Sequence, residues 1–161
     1  MKRLIFAGDV ALEEAVEQVF CGFGFNVMVP EGNKDDLNIL EEDFKAVVEV
    51  KGLTKSASTS NAMQLEKWAS NYGYENSIVP KAILIVNAFK ELAPPDRKEK
   101  VFPNDMLDYS LPRNHCLMIT LDLLNVYIDF KAGLINKAEI QQLIASTVGA
   151  FNYIPRYHPS K

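Results

Sequence analysis

Histidine, cysteine and tryptophan are scarce in this chain: its 161 residues include two histidines, two cysteines and one tryptophan. Cys21 falls in a predicted helix and Cys116 in a predicted strand, with no short-spaced pair between them. That excludes a disulfide framework and a zinc knuckle, and both are expected to be reduced core thiols. His115 and His158 stand far apart with no acidic or cysteine residue at ligand spacing, which argues against a histidine-dependent hydrolase. No apolar run approaches the ~20 residues of a membrane span. The opening Met1–Ala7 segment is too short in its apolar part for a signal peptide, so a soluble cytoplasmic protein with no membrane partner is expected. An excess of basic residues is also missing: 17 Lys and Arg against 21 Asp and Glu leave a net charge of −4, with no global attraction to nucleic acid. No internal repeat or interdomain linker interrupts the chain. At 48% hydrophobic and 24% charged residues, 1–161 reads as one domain with a substantial core.

What the chain does have is a paired-acid hairpin. Phe44 to Lys51 is apolar almost to its end, and the two-residue period of a strand puts Glu49 and Lys51 on one face. Asp36-Leu37-Asn38-Ile39-Leu40 alternates as well, and Glu41-Glu42-Asp43 is a polar turn, so residues 36–51 read as an antiparallel hairpin that sets Asp36 beside Glu49. Half-buried carboxylates repel unless a cation neutralises them or one takes a proton. Oxygen ligands suit Mg²⁺ or Mn²⁺, and two carboxylates with a lysine can hold such a cation against a phosphodiester.

Around the hairpin the elements follow a simple order. Apolar residues at helical spacing from Val10 to Phe23 predict a helix stopped by Gly24. Phe25 to Val29 reads as a strand ended by Pro30 and a Glu31-Gly32-Asn33 turn. Residues 52–61 read as a loop, Ala62 to Tyr72 as a helix closed near Gly73, and Lys81 to Asn87 as a buried strand. Lys90 to Pro103 is a charged excursion. Asn104 is expected to cap a short helix through Tyr109, Cys116 to Ile119 to form another buried strand, and Thr120 to cap a helix to Lys131 that ends at Gly133. Asn136 and Glu139 have the form of a capping box for a last helix to about Val148, and the tail 151–161, with two prolines and no periodicity, is left open between docking and fraying. The order predicts an α/β fold, a central mixed sheet between helices.

An acid, a hairpin and then Glu49-Val50-Lys51 resemble the PD-(D/E)XK, or restriction endonuclease-like, nuclease superfamily. Further likeness comes from the acidic helix segment Leu12-Glu13-Glu14-Ala15-Val16 running into Phe23-Gly24-Phe25, and from Gln64 on the helix after the motif strand. Ile83 to Asn87, Pro94-Pro95-Asp96-Arg97, Phe102 and Thr120 to Leu123 are similar to the tail of a subgroup of such modules. The likeness covers nearly the whole chain with short motifs. The proline that gives the family its name is missing, Lys34-Asp35-Asp36 standing there instead, so Asp35 rivals Asp36, which directly precedes the alternating run.

The resemblance implies a restriction endonuclease-like sandwich and a nuclease using Mg²⁺ or Mn²⁺ on nucleic acid, DNA ahead of RNA. A catalytically silent module that binds nucleic acid or protein is the alternative, and a homodimer or a partner domain would supply specificity. It implies that Asp36, Glu49 and the Val50 carbonyl hold the metal, with Glu13 a further ligand and Glu14 its competitor. Lys51 would orient water or stabilise transition-state charge, and Gln64 would hydrogen-bond at the site. Lys55, Lys67 and Trp68 are candidates for substrate contact, Trp68 by stacking or, with Tyr72, by packing in the core instead. Arg97, among Asp96, Lys98, Glu99 and Lys100, reads as a solvated loop residue, and Asn87 has no evident task.

Overall fold

Val48, Ile83 and Met118 come from three different strands, yet each is fully or almost fully buried, because the strands that carry them lie side by side beneath helices. The computed structural model describes residues 2–32 and 34–158. Two helices, α1 (Lys2–Phe6) and α2 (Asp9–Gly22), lead into β1 (Val27–Met28), β2 (Leu37–Leu40) and β3 (Lys45–Gly52). Helix α3 (Thr59–Asn76), strand β4 (Lys81–Asn87), helix α4 (Asn104–Ser110), strand β5 (Cys116–Ile119), helices α5 (Thr120–Lys131) and α6 (Lys137–Ser146) and strand β6 (Gly149–Ala150) follow. The six strands form one sheet in chain order; β1–β2 and β2–β3 are antiparallel, and β3–β4, β4–β5 and β5–β6 parallel. No helix among the described residues is long and apolar enough to cross a membrane.

Both sheet faces are covered, so β4 is buried along its whole length and shows a nearly unbroken apolar run rather than alternation. On one face Ala46, Val48 and Val50 pack with α2, α5 and α6 around the rings of Phe20, Phe23 and Phe25. On the other, Val47, Leu84 and Leu117 pack with Leu65 and Trp68 of α3 and Met106 of α4. Alternation along β3 therefore assigns Glu49 and Lys51 to the α3 face, with Val47.

The predicted order holds, with boundary corrections. Helix α3 starts at Thr59, its entry fixed by the Ser58 amide donating to Asn61 Oδ1 at 2.9 Å, so much of the expected loop 52–61 is ordered against its neighbours. The helix passes through Gly73 rather than ending there. A Cβ at Gly73 would lie 2.9 Å from the Ile78 carbonyl oxygen, so glycine is needed for a close return of the chain. Pro103 and Ile119, not Asn104 and Thr120, occupy the cap positions of α4 and α5. The reciprocal Asn136 and Glu139 cap is present, with both hydrogen bonds at 2.9 Å. Strand β1 is shorter than its sequence pattern, and of the expected turn after it Asn33 lies outside the described residues. Cys21 is exposed, because the buried stripe of α2 runs through Phe20 and Val19 and turns it outward; Cys116 is buried as expected.

Two polar clusters lock the ends of the chain. Arg97 is not a solvated loop residue. It donates to the Leu92 carbonyl at 2.9 Å, to Asn87 Oδ1 at 2.8 Å and to the Ile5 carbonyl at 2.8 Å, while Asn87 Nδ2 donates to the same Ile5 carbonyl at 3.0 Å, so both residues pin α1. At the other end the described part of the tail docks; residues 159–161 lie outside the described set. Buried Asp129 accepts from the Tyr153 hydroxyl at 2.6 Å and from the Arg156 and Tyr157 amides at 2.7 and 2.8 Å. These bonds outweigh burial and hold its pKa below the usual carboxylate range. Asp129→Ala is expected to cost ~2–4 kcal/mol, since it orphans three donors at once. Chemical denaturation checks the magnitude, and limited proteolysis should show cleavage beyond Phe151 appearing first.

Candidate metal centre and active site

Leu37 pairs with Val48 and Asn38 with Val47, and the Asp36 amide donates to the Val48 carbonyl at 3.2 Å. Continued one step, this register sets Asp36 opposite Glu49 on the same face. Strand β2 has ended there, and the Asp36 carboxylate takes the place of a strand, accepting the Val50 amide at 2.7 Å on Oδ2. Glu49 is 1% exposed, and Lys51 Nζ lies 2.6 Å from its Oε1. Glu49 Oε2 is buried with no hydrogen-bond partner among the described residues. The structure thus brings Asp36, Glu49, Val50 and Lys51 together at the C-terminal end of β3.

Crowded acids set the electrostatics. Burial pushes Glu49 up to about 7 against the lowering pull of the Lys51 hydrogen bond, and the charges of Asp36 and Asp35 push the same way as burial. Burial likewise raises Asp36, although the Val50 amide and Lys51 oppose it. Lys51 behaves in the opposite manner: burial would lower it, but its bond to Glu49 and the charges of Glu49, Asp36 and Asp9 hold it protonated above the ordinary lysine value.

Helix α2 adds two more carboxylates. Glu13 is half-buried and raised, first by burial and then by Asp36, with Lys51 pulling down. Glu14, one position on, is exposed and pairs with Arg3 at 3.5 Å on the outside of the helix. Sequence reasoning missed Asp9, which lies one turn before Glu13 on the same helix face. Its Oδ1 accepts the Gly52 amide at 3.1 Å, and Lys90 Nζ donates to the Gly52 carbonyl at 3.1 Å, so the two peptides that flank Gly52 are each held. A Cβ on Gly52 would sit 3.0 Å from Asp9 Oδ1. Lys90 follows Phe89, whose φ of 52° is an uncommon, strained value for a bulky side chain. The spacing of Asp9 and Glu13 was a readable signal, while Lys90 had none.

Other candidates lie elsewhere. Gln64, Lys55 and Lys67 are exposed, and Gln64 has no hydrogen bond to Asp36, Glu49 or Lys51. Lys67 Nζ sits 4.6 Å from the centroid of the Trp68 ring, and Trp68 is buried in the α3-side core, so its packing is that of a core residue more than of an open stacking platform. Asp35 accepts a hydrogen bond from Asn38 Nδ2, and not from the Val50 amide that Asp36 holds. His115 has a carboxylate partner that its sequence spacing hid: Nε2 is 2.7 Å from Glu66 Oε2 and Nδ1 is 3.2 Å from Ser110 Oγ. Burial holds His115 below its usual pKa, and with both His115 and Ser110 at 0% exposure neither can meet a substrate.

No protein-family model and no curated protein matches the chain. Solved structures do. The restriction endonuclease FokI bound to DNA superposes with a TM-score of 0.65 at 14% identity over 90% of this chain, and FokI alone with 0.65 at 17% over 90%. The chain spans 28% of the length of each. Element order, sheet topology and this likeness agree: the chain has a restriction endonuclease-like α/β fold, a mixed six-stranded sheet flanked by helices.

Proposed function

We propose that this chain is a Mg²⁺- or Mn²⁺-dependent nuclease of the PD-(D/E)XK type that hydrolyses phosphodiester bonds, with DNA as its principal substrate. One observation carries the reading. Glu49 is almost fully buried, yet its Oε2 has no partner among the described residues, and it stands opposite a second, part-buried carboxylate, Asp36. An unpaired buried carboxylate oxygen is costly. A divalent cation held by Asp36, Glu49 and the Val50 carbonyl would satisfy it, with Glu13 a further ligand directly or through water. Among the described residues no ready-made group of three His, Cys, Asp or Glu side chains could hold a metal ion by itself. In the proposed site water and substrate oxygens would complete the coordination, as Mg²⁺ normally requires.

Bound there, the cation would supply Lewis acidity and a lowered pKa for a water. The chain's own residues do the rest. Lys51, kept protonated by its acidic neighbours, presents a compact positive charge where the phosphoryl oxygens gain charge. The Val50 amide orients the Asp36 carboxylate, and the two hydrogen bonds that hold Gly52 fix the strand end that carries Val50 and Lys51. A second copy or a partner domain supplies specificity, in keeping with a module that spans 28% of FokI. The net charge of −4 favours a second reading, a silent nuclease-fold module.

Cleavage of plasmid, single-stranded and duplex DNA and RNA with Mg²⁺ or Mn²⁺ separates the two. Asp36→Asn sharpens the test, because asparagine keeps an acceptor for the Val50 amide. The variant is expected to gain ~1 kcal/mol or less without metal, as like-charge repulsion is relieved, and to lose the metal-induced rise in melting temperature. A full wild-type metal shift in this variant would remove Asp36 from the ligand set.

A further inference from the structure

Consecutive acids here serve different places. Asp36 turns to the Val50 amide, whereas Asp35, 8% exposed, turns with Asn38, 3% exposed, to a cleft of about 700 Å³ between α3 and the connection from β1 to β2. Trp68, Asn71 and Tyr72 line the α3 wall, and the opposite wall includes Val29. Lys34 and Glu75 join the two walls by a 3.5 Å ion pair. Trp68 Nε1 is buried and finds no hydrogen-bond partner among the described residues.

Resting on the nuclease reading, we propose that this cleft receives one unstacked nucleobase of the substrate strand. Its dimensions are those of small-ligand pockets. Its walls pair aromatic and apolar surface with polar groups that can read a base edge: the Asp35 carboxylate and the Asn38 amide oxygen accept, the Asn38 amide nitrogen being spent on Asp35 and the Leu37 carbonyl, and the Asn71 carboxamide both donates and accepts. Its charge selects against the phosphate end of a nucleotide, since Glu31, Asp35 and Glu75 face Lys34 alone. A neutral base enters while its phosphates stay outside. The cleft opens one residue away from Asp36, so a strand whose phosphate lies at Lys51 has a neighbouring base within reach of it.

Trp68 is the chain's single tryptophan and lines the cleft, which makes its emission a local reporter. Single-stranded oligonucleotides, some with one abasic position placed successively along the strand, are titrated in EDTA. Binding is followed by anisotropy of a labelled strand and by Trp68 emission, and nucleoside monophosphates are titrated separately. The expected result is quenching of Trp68 on strand binding and about tenfold weaker binding when one particular base is removed. Asn71→Ala and Tyr72→Ala, neither of which takes part in the buried Asp35–Asn38 hydrogen bond, should bind intact and abasic strands alike; Asp35→Asn should do the same. Quenching by nucleoside monophosphates to the same extent supports a base pocket that also takes a free nucleotide.

Strands that bind without changing Trp68 emission, or variants that keep the full abasic penalty, overturn the proposal, as does the absence of quenching by any strand or nucleotide. Metal-dependent cleavage is measured in parallel. Cleavage without quenching overturns the cleft and leaves the nuclease reading intact, whereas quenching without cleavage supports the cleft and removes the catalytic assignment.

Discussion

Lys51→Ala is expected to lower metal-dependent cleavage by ~10²–10³-fold while leaving a folded protein that still binds the metal. Lys51 is part-buried, its side chain 24% exposed, and its ammonium meets Glu49 at 2.6 Å at the open end of β3, so truncation leaves a gap that water can enter. It does remove the counter-charge of a buried acid. Glu49 answers by holding its proton to higher pH, which limits the stability loss near neutrality and shifts metal binding to more alkaline conditions. The loss should fall on kcat with little change in KM, as for an interaction made chiefly in the transition state. Single-turnover cleavage at saturating Mn²⁺, beside a metal melting series, checks both parts. Wild-type turnover would deny Lys51 any part in the chemistry.

Without divalent cation, stability is expected to fall by ~2–3 kcal/mol between about pH 5 and pH 8. Glu49 carries most of this. Its folded pKa, about 7, lies above the ordinary glutamate value, so the native state binds the proton more tightly than the unfolded chain. Its contribution is therefore fully present below the unfolded value and is lost as pH rises through about 7. Asp35, at about 6, and the raised Asp36 and Glu13 act in the same direction. Raised Lys51 keeps its proton throughout this window and adds no slope. Depressed Asp129 and Glu41 have the opposite sign, losing their contribution only as pH falls through their folded values, which sets the acid side of the optimum. Urea denaturation across this range should show the decline, Glu49→Gln should flatten it, and saturating Mg²⁺ should reverse it because the cation binds the ionised carboxylates. A decline that survives in Glu49→Gln would assign the titration to other groups.

Much of the fold was legible because its signals are local. The apolar run Lys81–Asn87, the alternating hairpin and the Asn136 and Glu139 cap each announce themselves within a few residues. What escaped depends on partners distant in sequence. Helix α1 is five residues long and is held by Arg97 and Asn87; β6 is two residues long and exists by pairing with β5. His115 owes its partner to α3, which brings Glu66 beside the residue that leads into β5. The same distinction runs through the candidate site. The order of Asp36, Glu49 and Lys51 could be read directly, whereas the different surroundings of Asp35 and Asp36 follow from β2 register, and those of Glu13 and Glu14 from the side of α2 that meets the sheet. Lys90 reaches Gly52 only through a left-handed Phe89.

The sheet runs β1 to β6 in the order of the chain. No strand has to be threaded between two that are already hydrogen-bonded, and every newly formed strand finds a waiting edge on its predecessor. Assembly can therefore proceed from the N-terminal side, as synthesis does, without any pairing being broken to admit a latecomer. The hairpin bearing Asp36, Glu49 and Lys51 is complete by Gly52, so the most highly charged part of the sheet is laid down early, and β4, the fully buried strand, arrives to cover its exposed edge. The same order leaves the two ends of the sheet as its shortest strands, β1 and β6, each two residues long, too short to template the addition of another chain's strand.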